Sequence, residues 1–353
     1  MADFKLLRNI NLAEMTTFKI GGKADYFVNI TNSAQLTSVF LWLKESGMPH
    51  LIISGGSNTI FDDGTFHGLI IKMDISEFEI IKDTDADVFI RLGSGNNWDE
   101  DVEKVVNLGL YGIEALSGIP GSTGASAVQN IGAYGQEVKN TISEVEVFDT
   151  KTTQISSLTN AQCKFSYRDS IFKSSQKGRY IITAIVFKLS KQPSSTPKYK
   201  DVVNYFKRSG VKSPSIIQIR NAVLDIRKRK FVDPSIAPNA GSFFKNPIVA
   251  KEIADNIMLK YPDIKPYPDD TKIFPNPDGT YKIAAGWLIQ EAGLKGKELD
   301  KVQIDPKHAL VLENRGGASQ KDLWELIIKV QEDVLRKFGV SLETEPEIIK
   351  FPN

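Results

Sequence analysis

The first hundred residues alternate between short apolar runs and stretches in which apolar positions have helical spacing. The runs are rich in Val, Ile, Leu and Phe and predict strands over residues 24–30, 51–54, 68–73 and 88–92. Helical spacing predicts one helix over residues 36–43, before Gly47, and a second that follows an N-cap at Asn97 and ends at Gly109. This order of elements indicates a mixed α and β architecture.

Beyond the first hundred residues, the elements are spaced less evenly. Residues 145–148 and 180–189 predict strands, and the Pro- and Ser-rich residues 191–198 predict a domain boundary. Two helices are predicted beyond it, one with Ser213 as N-cap and one from Ser319 to Gly339. Residues 261–279 contain five prolines and are expected to be irregular, and residues 340–349 predict a last strand that returns to an earlier one. The expected fold is α+β with at least two lobes.

The balance of charge excludes bulk electrostatic attraction to nucleic acids or membranes as a basis for function. Lys and Arg number 44 and Asp and Glu 43, for a net charge of +1. The single cysteine, Cys163, excludes a disulfide framework, suits a reducing compartment and is expected to be buried. The first 15 residues have no apolar signal core, and the longest apolar runs are too short to span a bilayer. We therefore expect a soluble cytoplasmic monomer whose partner is a small molecule.

Residues 119–135, IPGSTGASAVQNIGAYG, are the most informative segment of the chain. Six of the 26 glycines lie between Gly112 and Gly135. Glycines allow positive φ and close approach of the backbone to a ligand, and successive N–H groups in such turns bind anions. A flexible surface loop is the alternative, but embedded apolar residues such as Ile119 and Ile131 argue against it. The segment is expected to pack around phosphates.

A second polar turn, Gly55-Gly56-Ser57-Asn58, follows a predicted strand and is too generic to be diagnostic alone. Together the two turns fit a dinucleotide ligand, and one that carries a flavin would suit the length. Gly93-Ser94-Gly95 lacks the third glycine of a dinucleotide-fold fingerprint because Trp98 occupies its place, so we interpret it as an ordinary strand–helix turn.

Metal-dependent and nucleophilic hydrolysis have no support in the sequence. The three histidines, His50, His67 and His308, do not have metal-ligand spacing, so no metal site is expected. The chain has no G-x-S-x-G motif, and no histidine lies near Cys163 in the sequence.

Three polar clusters leave a functional and a structural interpretation open. Arg168 in Tyr167-Arg168-Asp169-Ser170 could bind a carboxylate bidentately or form a surface pair with Asp169. Ser242 could be a positioned proton donor or a turn former. The third cluster alternates along the last predicted strand, where the carboxylates share either a functional face or an exposed edge: Glu343, Glu345 and Glu347. Most of the basic residues 227–230 are expected to form a solvated helix end.

Taken in order, these motifs resemble the UDP-N-acetylenolpyruvoylglucosamine reductase (UDP-N-acetylmuramate dehydrogenase) family of peptidoglycan synthesis. The resemblance covers nearly the whole chain and lies in NLAEMTTFKIGG from Asn11, GGSN, the 119–135 segment, FSYRDSIFK from Phe165, NAGSFFKNP from Asn239, AAGWLIQ from Ala284 and HALVLEN from His308. It implies a two-part FAD-binding region of the vanillyl-alcohol-oxidase type and a separate α+β substrate-binding domain. The implied boundaries are 1–72 and 73–214 for the FAD-binding subdomains, with residues 340–353 returning to the second, and 215–339 for the substrate domain.

The resemblance also implies the cofactors and the roles of individual residues. NADPH would reduce bound FAD, which would pass hydride to the enolpyruvyl double bond. Arg168 and Glu345 match the positions that stabilise the developing negative charge, and Ser242 matches the general acid. The implied substrate contacts are Tyr167, Tyr199, Lys230, Asn246 and His308. The implied cofactor contacts are Ser54, Gly55, Gly56, Ser57, Asn58, Pro120, Gly121, Ser122, Gly124, Ala125, Gln129, Asn130, Ile131, Gly132, Ala133 and Tyr134.

Departures from the family pattern leave some assignments open. The family's proline before the catalytic glutamate is Thr344 here and Pro346 follows, so Glu347 competes with Glu345. His308 stands where some relatives carry glutamine. The Tyr199 segment and the Pro-rich insert suggest the longer subtype, whose tyrosine loop closes over the uridine diphosphate. An oxidase of the same flavin superfamily and a non-catalytic binding protein for nucleotide sugars are the competing hypotheses.

Overall fold

The computed structural model describes residues 3–193, 199–267 and 272–351. The chain forms two compact units, each built from separate stretches of sequence. Unit 1 comprises residues 1–10, 23–56 and 65–227, and unit 2 comprises residues 11–22, 57–64 and 228–353. Part of the predicted boundary at 191–198 and part of the Pro-rich insert lie outside the described residues. The boundaries proposed for three domains stay a prediction.

The strands of the described residues are numbered in chain order. They are β1 (Leu7–Asn11), β2 (Lys23–Ile30), β3 (His50–Ile53), β4 (Thr59–Ile60), β5 (Thr65–Met73), β6 (Phe78–Asp83), β7 (Asp87–Gly93), β8 (Gly132–Ala133), β9 (Gln136–Glu137), β10 (Ile142–Asp149), β11 (Gln154–Thr159), β12 (Tyr180–Ser190), β13 (Asn239–Ser242), β14 (Ile248–Val249), β15 (Ile273–Pro275), β16 (Tyr281–Ile283), β17 (Glu298–Leu299), β18 (Val302–Ile304), β19 (Val311–Asn314) and β20 (Glu347–Ile348).

The α-helices of the same residues are also numbered in chain order. They are α1 (Ala34–Ser46), α2 (Trp98–Asn107), α3 (Thr123–Val128), α4 (Lys200–Ser209), α5 (Ile216–Lys230), α6 (Lys251–Lys260), α7 (Ala285–Glu291) and α8 (Gln320–Phe338). Among the described residues, no helix combines the length and apolar character needed to cross a bilayer.

Unit 1 contains two main sheets. The first has the order β1-β2-β5-β3, and its β2–β5 and β3–β5 pairs are parallel. The second is antiparallel, with the order β11-β10-β12-β7-β6. Alternate residues of β7 and β12 join the apolar face of α2 in one core, which surrounds the fully buried Trp98. The sheets and helices confirm the predicted α+β class.

Unit 2 is built around the antiparallel sheet β13-β19-β18-β17. Its core includes the apolar face of α8, α7 and two adjacent phenylalanines, Phe243 and Phe244, which are 0% and 1% exposed. A smaller sheet has the order β14-β16-β15, and of its strands only β15 lies in residues 261–279, which were expected to be irregular. In the same unit, β20 pairs in parallel with β4.

The helix ends test the capping predictions. Asn97 caps α2 by accepting from two backbone N–H groups, and Ser319 opens α8 with a reciprocal capping box, so both predictions are confirmed. The prediction of Ser213 as a cap is wrong. The helix α5 begins later because Ser215 accepts from the Gln218 N–H at 3.3 Å while the Gln218 side chain accepts from the Ser215 N–H at 2.9 Å. This reciprocal pair satisfies the first-turn donors two residues beyond the predicted cap.

The last strand is shorter than predicted. Of residues 340–349, only Glu347–Ile348 form a strand, which pairs with an earlier strand as expected. Its partner is Thr59–Ile60, which lies outside residues 73–214, the subdomain to which the resemblance implied a return. Residues 343–345 pair instead with the segment after β13 through the Phe244–Thr344 bridge. The change of partner occurs at Pro346, which has no N–H to donate.

Candidate functional site

The two glycine turns predicted to bind phosphates lie against each other in unit 1. A Cβ atom built on Gly55 would lie 3.0 Å from the Gly121 Cα, so a side chain at this position would require the two turns to shift apart. The Ser54 and Ser122 hydroxyl oxygens are 2.5 Å apart. Gly56 and Gly121 have φ values of +62° and +124°. Within the described residues, the N–H groups of Gly55, Gly121 and Ser122 donate to no protein acceptor, which leaves them available to an anion.

The strand–helix turn at Gly93-Ser94-Gly95 holds the glycine-rich segment in shape. The Trp98 N–H donates to the Gly121 carbonyl at 3.1 Å, and the Thr123 N–H donates to the Asn96 carbonyl at 2.9 Å. Gly124 packs so closely on Ser94 that a Cβ would lie 2.6 Å from the Ser94 Cβ. The turn therefore does more than connect a strand to a helix, because it also binds the glycine-rich segment. It is not a dinucleotide fingerprint, as predicted.

Helix α3 is an element that the sequence analysis missed. It spans six residues of the glycine-rich segment and is capped by the Ser122 hydroxyl, which accepts from the Ala125 N–H at 3.4 Å. Its Thr123 hydroxyl donates to the Asp101 carboxylate at 2.7 Å, and Asn96 donates to the same carboxylate. Burial raises the pKa of Asp101 above its usual value. This short helix was not predicted because its small residues form no apolar stripe of helical spacing.

The second half of the glycine-rich segment is bound to the turn at Tyr167. Asn130, with φ +47°, donates to the Ser166 carbonyl at 2.8 Å and accepts from the Lys139 N–H at 3.1 Å. Ser170 donates to the Val128 carbonyl at 2.5 Å. The Asn130 side chain thus anchors the segment within the protein, and any contact that it makes with a cofactor would come from its backbone.

Arg168 lies at the tip of a two-residue turn and reaches the predicted cofactor segment. The turn is closed by the Ser166 N–H, which donates to the Asp169 carbonyl at 3.0 Å, and Arg168 has φ +54°. Its guanidinium donates to the Gly132 carbonyl at 2.9 Å and lies 5.4 Å from the Tyr167 ring centre. The structure therefore brings Tyr167 and Arg168 to Gly132.

The remaining predicted cofactor residues of unit 1 lie at the start of the glycine-rich segment and in its second half. Pro120 is exposed at the start of the segment, and Gln129 accepts from the Lys173 ammonium at 3.2 Å. Ile131 is buried, and Gly132–Ala133 form β8, which pairs with β9.

Tyr134 joins the segment to α4 and α5. Its ring makes an edge contact with Tyr199, with ring centres 5.5 Å apart, and its hydroxyl is hydrogen-bonded to Arg227. Burial raises the pKa of Tyr134 and lowers that of Arg227. Arg227 is thus an exception to the solvated helix end expected for residues 227–230.

In unit 2, a local irregularity in β13 positions Ser242. Asn239 pairs with Glu313 and Ser242 with Val311, so three steps on β13 match two on β19. Gly241 supplies φ +70° at this bulge. Bulges turn the following side chain away from the regular alternation, and the Ser242 side chain is partly exposed.

The segment that follows Ser242 is paired on both sides. The Phe243 N–H donates to the Leu310 carbonyl at 2.7 Å, and the Phe243 carbonyl accepts from the Glu345 N–H at 2.9 Å. Glu345 also accepts through its carbonyl from the Asn58 side chain at 3.3 Å, whereas the Glu347 N–H donates to the Asn58 carbonyl at 2.9 Å. Ser242, Glu345 and Asn58 are therefore brought together. The two candidate glutamates differ in the backbone acceptor of their N–H group, which is Phe243 for Glu345 and Asn58 for Glu347.

Two predicted substrate contacts of unit 2, Lys230 and His308, lie close enough to interact electrostatically. The rings of Phe231 and His308 lie 4.8 Å apart, and Lys230 acts electrostatically on His308. Burial, and then the charge of Lys230, lower the pKa of His308, so the imidazole is neutral at pH 7. A third predicted contact, Asn246, accepts from the Ala285 N–H at 2.9 Å at the start of α7. Ser57 also belongs to unit 2 and is partly buried.

The motif at residues 11–22 holds the Ser242 strand, a role that the sequence analysis did not identify. The Thr17 hydroxyl donates to the Asn239 carbonyl at 2.7 Å, and Asn314 donates to the Phe18 carbonyl at 3.0 Å. The Phe18 ring makes an edge contact with Phe243 at 6.0 Å. The sequence shows this motif as part of the family resemblance, but its residue types predict no catalytic or binding role. Its contacts in the structure are structural.

Family profiles match both parts of the chain. The profile described as "FAD binding domain" matches residues 24–157, and the one described as "UDP-N-acetylenolpyruvoylglucosamine reductase, C-terminal domain" matches residues 233–349. Two solved structures share the fold. The UDP-N-acetylenolpyruvylglucosamine reductase of Thermus caldophilus has a TM-score of 0.68 and 22% identity over 99% of this chain and all of that one. The 6-hydroxy-D-nicotine oxidase of Arthrobacter nicotinovorans has a TM-score of 0.54 and 12% identity over 97% and 87%.

The two profile matches define the chain as an FAD-binding flavoprotein oxidoreductase. The chain is 38% identical to the UDP-N-acetylenolpyruvoylglucosamine reductase of Bdellovibrio bacteriovorus, over 95% of this chain and 97% of that protein. It is 36% identical to the reductase of the same name from Chromobacterium violaceum, over 97% and 98%. The chain belongs to the UDP-N-acetylenolpyruvoylglucosamine reductase family. The predicted family, the fold class and the FAD cofactor are confirmed.

Proposed function

We propose that this protein catalyses the NADPH-dependent reduction of UDP-N-acetylglucosamine enolpyruvate to UDP-N-acetylmuramate. The reaction would take place in the cytoplasm and supply a precursor of peptidoglycan. The names of relatives that match nearly the whole length of the chain support this assignment. The arrangement of Ser242 and Glu345 carries the proposal for the chemistry, because both residues lie on paired segments of one unit.

The reduction needs a proton and a group that stabilises negative charge. Addition of a hydride to one vinyl carbon leaves negative charge on the other, delocalised into the adjacent carboxylate. In the proposal, the Ser242 hydroxyl gives its proton to that carbon, and Glu345, protonated or sharing a proton, donates a hydrogen bond to the carboxylate over which the negative charge is spread. The Phe243 carbonyl bound to the Glu345 N–H at 2.9 Å fixes the two backbone segments against each other. A pair held by backbone hydrogen bonds is preorganised before substrate binds.

The glycine turns of unit 1 fit the pyrophosphate of FAD. The unused N–H groups of Gly55, Gly121 and Ser122, on two turns that pack backbone to backbone, present donors without charged side chains. A bound flavin supplies the hydride-transfer chemistry, with NADPH as the source of the hydride. Arg168, which donates to Gly132 at 2.9 Å, is proposed to stabilise the substrate carboxylate with its planar guanidinium.

The remaining contacts are assigned to binding of the nucleotide sugar. Lys230 is proposed to bind a phosphate oxygen as a cation, and the neutral His308 beside it to make a hydrogen bond. Tyr199 is proposed to close over the diphosphate, Asn246 and Tyr167 to contact the sugar and its enolpyruvyl group. These roles are carried over from the family by matching residues.

An anaerobic two-step absorption experiment tests the proposed function. Addition of NADPH should bleach the flavin band, and subsequent addition of UDP-N-acetylglucosamine enolpyruvate should restore it. Bleaching without recovery would contradict the proposed substrate. Absence of a flavin band after reconstitution with FAD would contradict the catalytic proposal and favour a binding protein for nucleotide sugars, whereas oxygen consumption with another sugar or alcohol would favour an oxidase.

A further inference from the structure

The peptide groups around Gly118, just before the glycine-rich segment, are bound from two sides. The Gly118 N–H donates to the Asp99 carboxylate at 2.6 Å, and the Gly118 carbonyl accepts from the Arg227 guanidinium at 2.9 Å. Gly118 has φ +71°, and a Cβ there would lie 2.9 Å from Leu224. The turn is therefore packed tightly on α5 and cannot accept a side chain without movement.

Asp99 joins this turn to α5 by a second set of contacts. The Arg220 guanidinium donates to both Asp99 oxygens, at 2.6 and 3.1 Å. The Arg220 side chain is 8% exposed and that of Asp99 is 33% exposed, so the pair is largely shielded from water. Burial alone would raise the pKa of Asp99, but the hydrogen bonds from Arg220 and Gly118 hold it below its usual range. The carboxylate is therefore ionised at neutral pH and pairs with the positive charge of Arg220 on α5.

The first turn of α2 carries further anchors for the same segment. Trp98 is fully buried, and its indole N–H donates to the Leu116 carbonyl at 3.0 Å, while its backbone N–H binds Gly121. With Asp99 on Gly118, this one helical turn binds the chain at Leu116 and Gly118, just before the glycine-rich segment, and at Gly121 within it. The path of the backbone that leads into Gly121 and Ser122 is thus set by α2 and α5 together.

We propose that Asp99 is a positioning residue that holds the Gly118 turn between α2 and α5 and thereby keeps the Gly121–Ser122 turn in the shape that binds FAD. The inference rests on the assignment of that turn to the FAD pyrophosphate. It makes α5 part of the cofactor site, although the FAD-binding profile ends at residue 157. Without the carboxylate, the Gly118 N–H would lose one charge-assisted hydrogen bond and Arg220 would lose two.

The experiment compares the full chain with its Asp99→Ala variant by two measurements. The first is the dissociation constant for FAD from flavin fluorescence, and the second is hydrogen–deuterium exchange of peptides that cover residues 116–122. We expect FAD to bind at least about tenfold more weakly and the Gly118 amide to exchange at least about tenfold faster, because a charge-assisted hydrogen bond is lost. Arg220→Lys, which keeps the charge but not the bidentate geometry, should weaken FAD binding by a smaller factor.

Asp149→Ala is the matched control. Asp149 is also bound by an arginine, with Arg179 at 2.8 Å, and by backbone N–H groups, with that of Lys151 at 2.9 Å. It should leave FAD affinity within about twofold of the parent, as expected of a pair that does not bind the segment. Equal weakening by the control, or unchanged FAD affinity in folded Asp99→Ala, would overturn the proposal. If Asp99→Ala does not fold, unchanged affinity in Arg220→Lys would do so.

The two measurements separate this inference from the assignment of the cofactor site. Faster exchange at Gly118 with unchanged FAD affinity would show that the turn is released but does not support the cofactor. A parent chain that binds no FAD would contradict the cofactor assignment itself, whatever the exchange shows.

Discussion

Ser242→Ala tests the chemical role of the serine with little interference from stability. In the described part of the chain, the Ser242 hydroxyl makes no hydrogen bond to another protein group, and its side chain is partly exposed. The backbone on either side is held by Phe243 and by the Asn239–Glu313 pair. Removal of one uncommitted oxygen should therefore change the free energy of unfolding by no more than about 0.5 kcal/mol.

The expected effect on the rate is much larger. General acid catalysis contributes about 10²–10⁴-fold, which corresponds to about 3–5 kcal/mol of transition-state stabilisation. The loss should fall on the half-reaction in which the enolpyruvyl substrate reoxidises the flavin. Reduction of the flavin by NADPH needs no proton from Ser242 and should remain near the parent rate.

Anaerobic stopped-flow absorption measures the two half-reactions separately. Each is followed at the flavin band, first after mixing with NADPH and then after mixing the reduced protein with substrate. Ser341→Ala, at an exposed serine of the same unit, controls for a generic serine loss. Equal slowing of both half-reactions in Ser242→Ala would refute the general-acid role, as would a normal rate of reoxidation.

Three further predictions follow from the described side chains. Glu345→Gln should reduce turnover far more than Glu347→Gln in steady-state assays, because the proposal assigns the catalytic carboxyl to Glu345, whose backbone pairs with Phe243 next to Ser242; the reverse order would place that carboxyl two residues later. Burial raises the pKa of Cys163 to about 12, so a thiol reagent at about pH 8 should react with it only after denaturation, and rapid reaction of the folded chain would contradict its burial. The pKa of His308 is lower in the folded chain than in the unfolded chain, so the unfolded chain binds more protons below about pH 6.5, and the folded state loses stability as the pH falls. His308→Gln should therefore reduce the fall in Tm between about pH 7 and pH 5.5. A fall in Tm equal to that of the parent would contradict this.

The sequence was most informative where local signals agreed with long-range packing. The caps at Asn97 and Ser319 and the runs that became β2, β5, β7 and β12 were predictable, because a side-chain cap or a buried apolar run determines the local structure. The true cap of α5 was missed because Ser213 and Ser215 are both acceptable and only the side chain of Gln218 decides between them. Local preference alone cannot rank two adjacent caps.

The site was predictable as a set of motifs but not as a geometry. Positive φ values at Gly56 and Gly121 agree with the expectation drawn from their composition. The pairing of Phe243 with Glu345 joins positions about one hundred residues apart, and no spacing in the sequence indicates it. The role of Thr17 was hidden for the same reason, since a hydroxyl that binds a distant carbonyl looks like any surface threonine.

The contacts that position Ser242 explain why its hydroxyl group is not used in a structural hydrogen bond. Its position is set by neighbours: Phe243 uses its N–H on Leu310 and its carbonyl on Glu345, and its ring is fully buried against Phe18. A side chain that served as its own anchor would spend its hydroxyl on a structural hydrogen bond, as Ser170 does on the Val128 carbonyl at 2.5 Å. Because the backbone and an aromatic neighbour supply the anchoring, the Ser242 hydroxyl remains free of protein partners among the described residues. The unit thus holds the proposed proton donor in place while leaving its proton uncommitted, which is the condition that general acid catalysis requires.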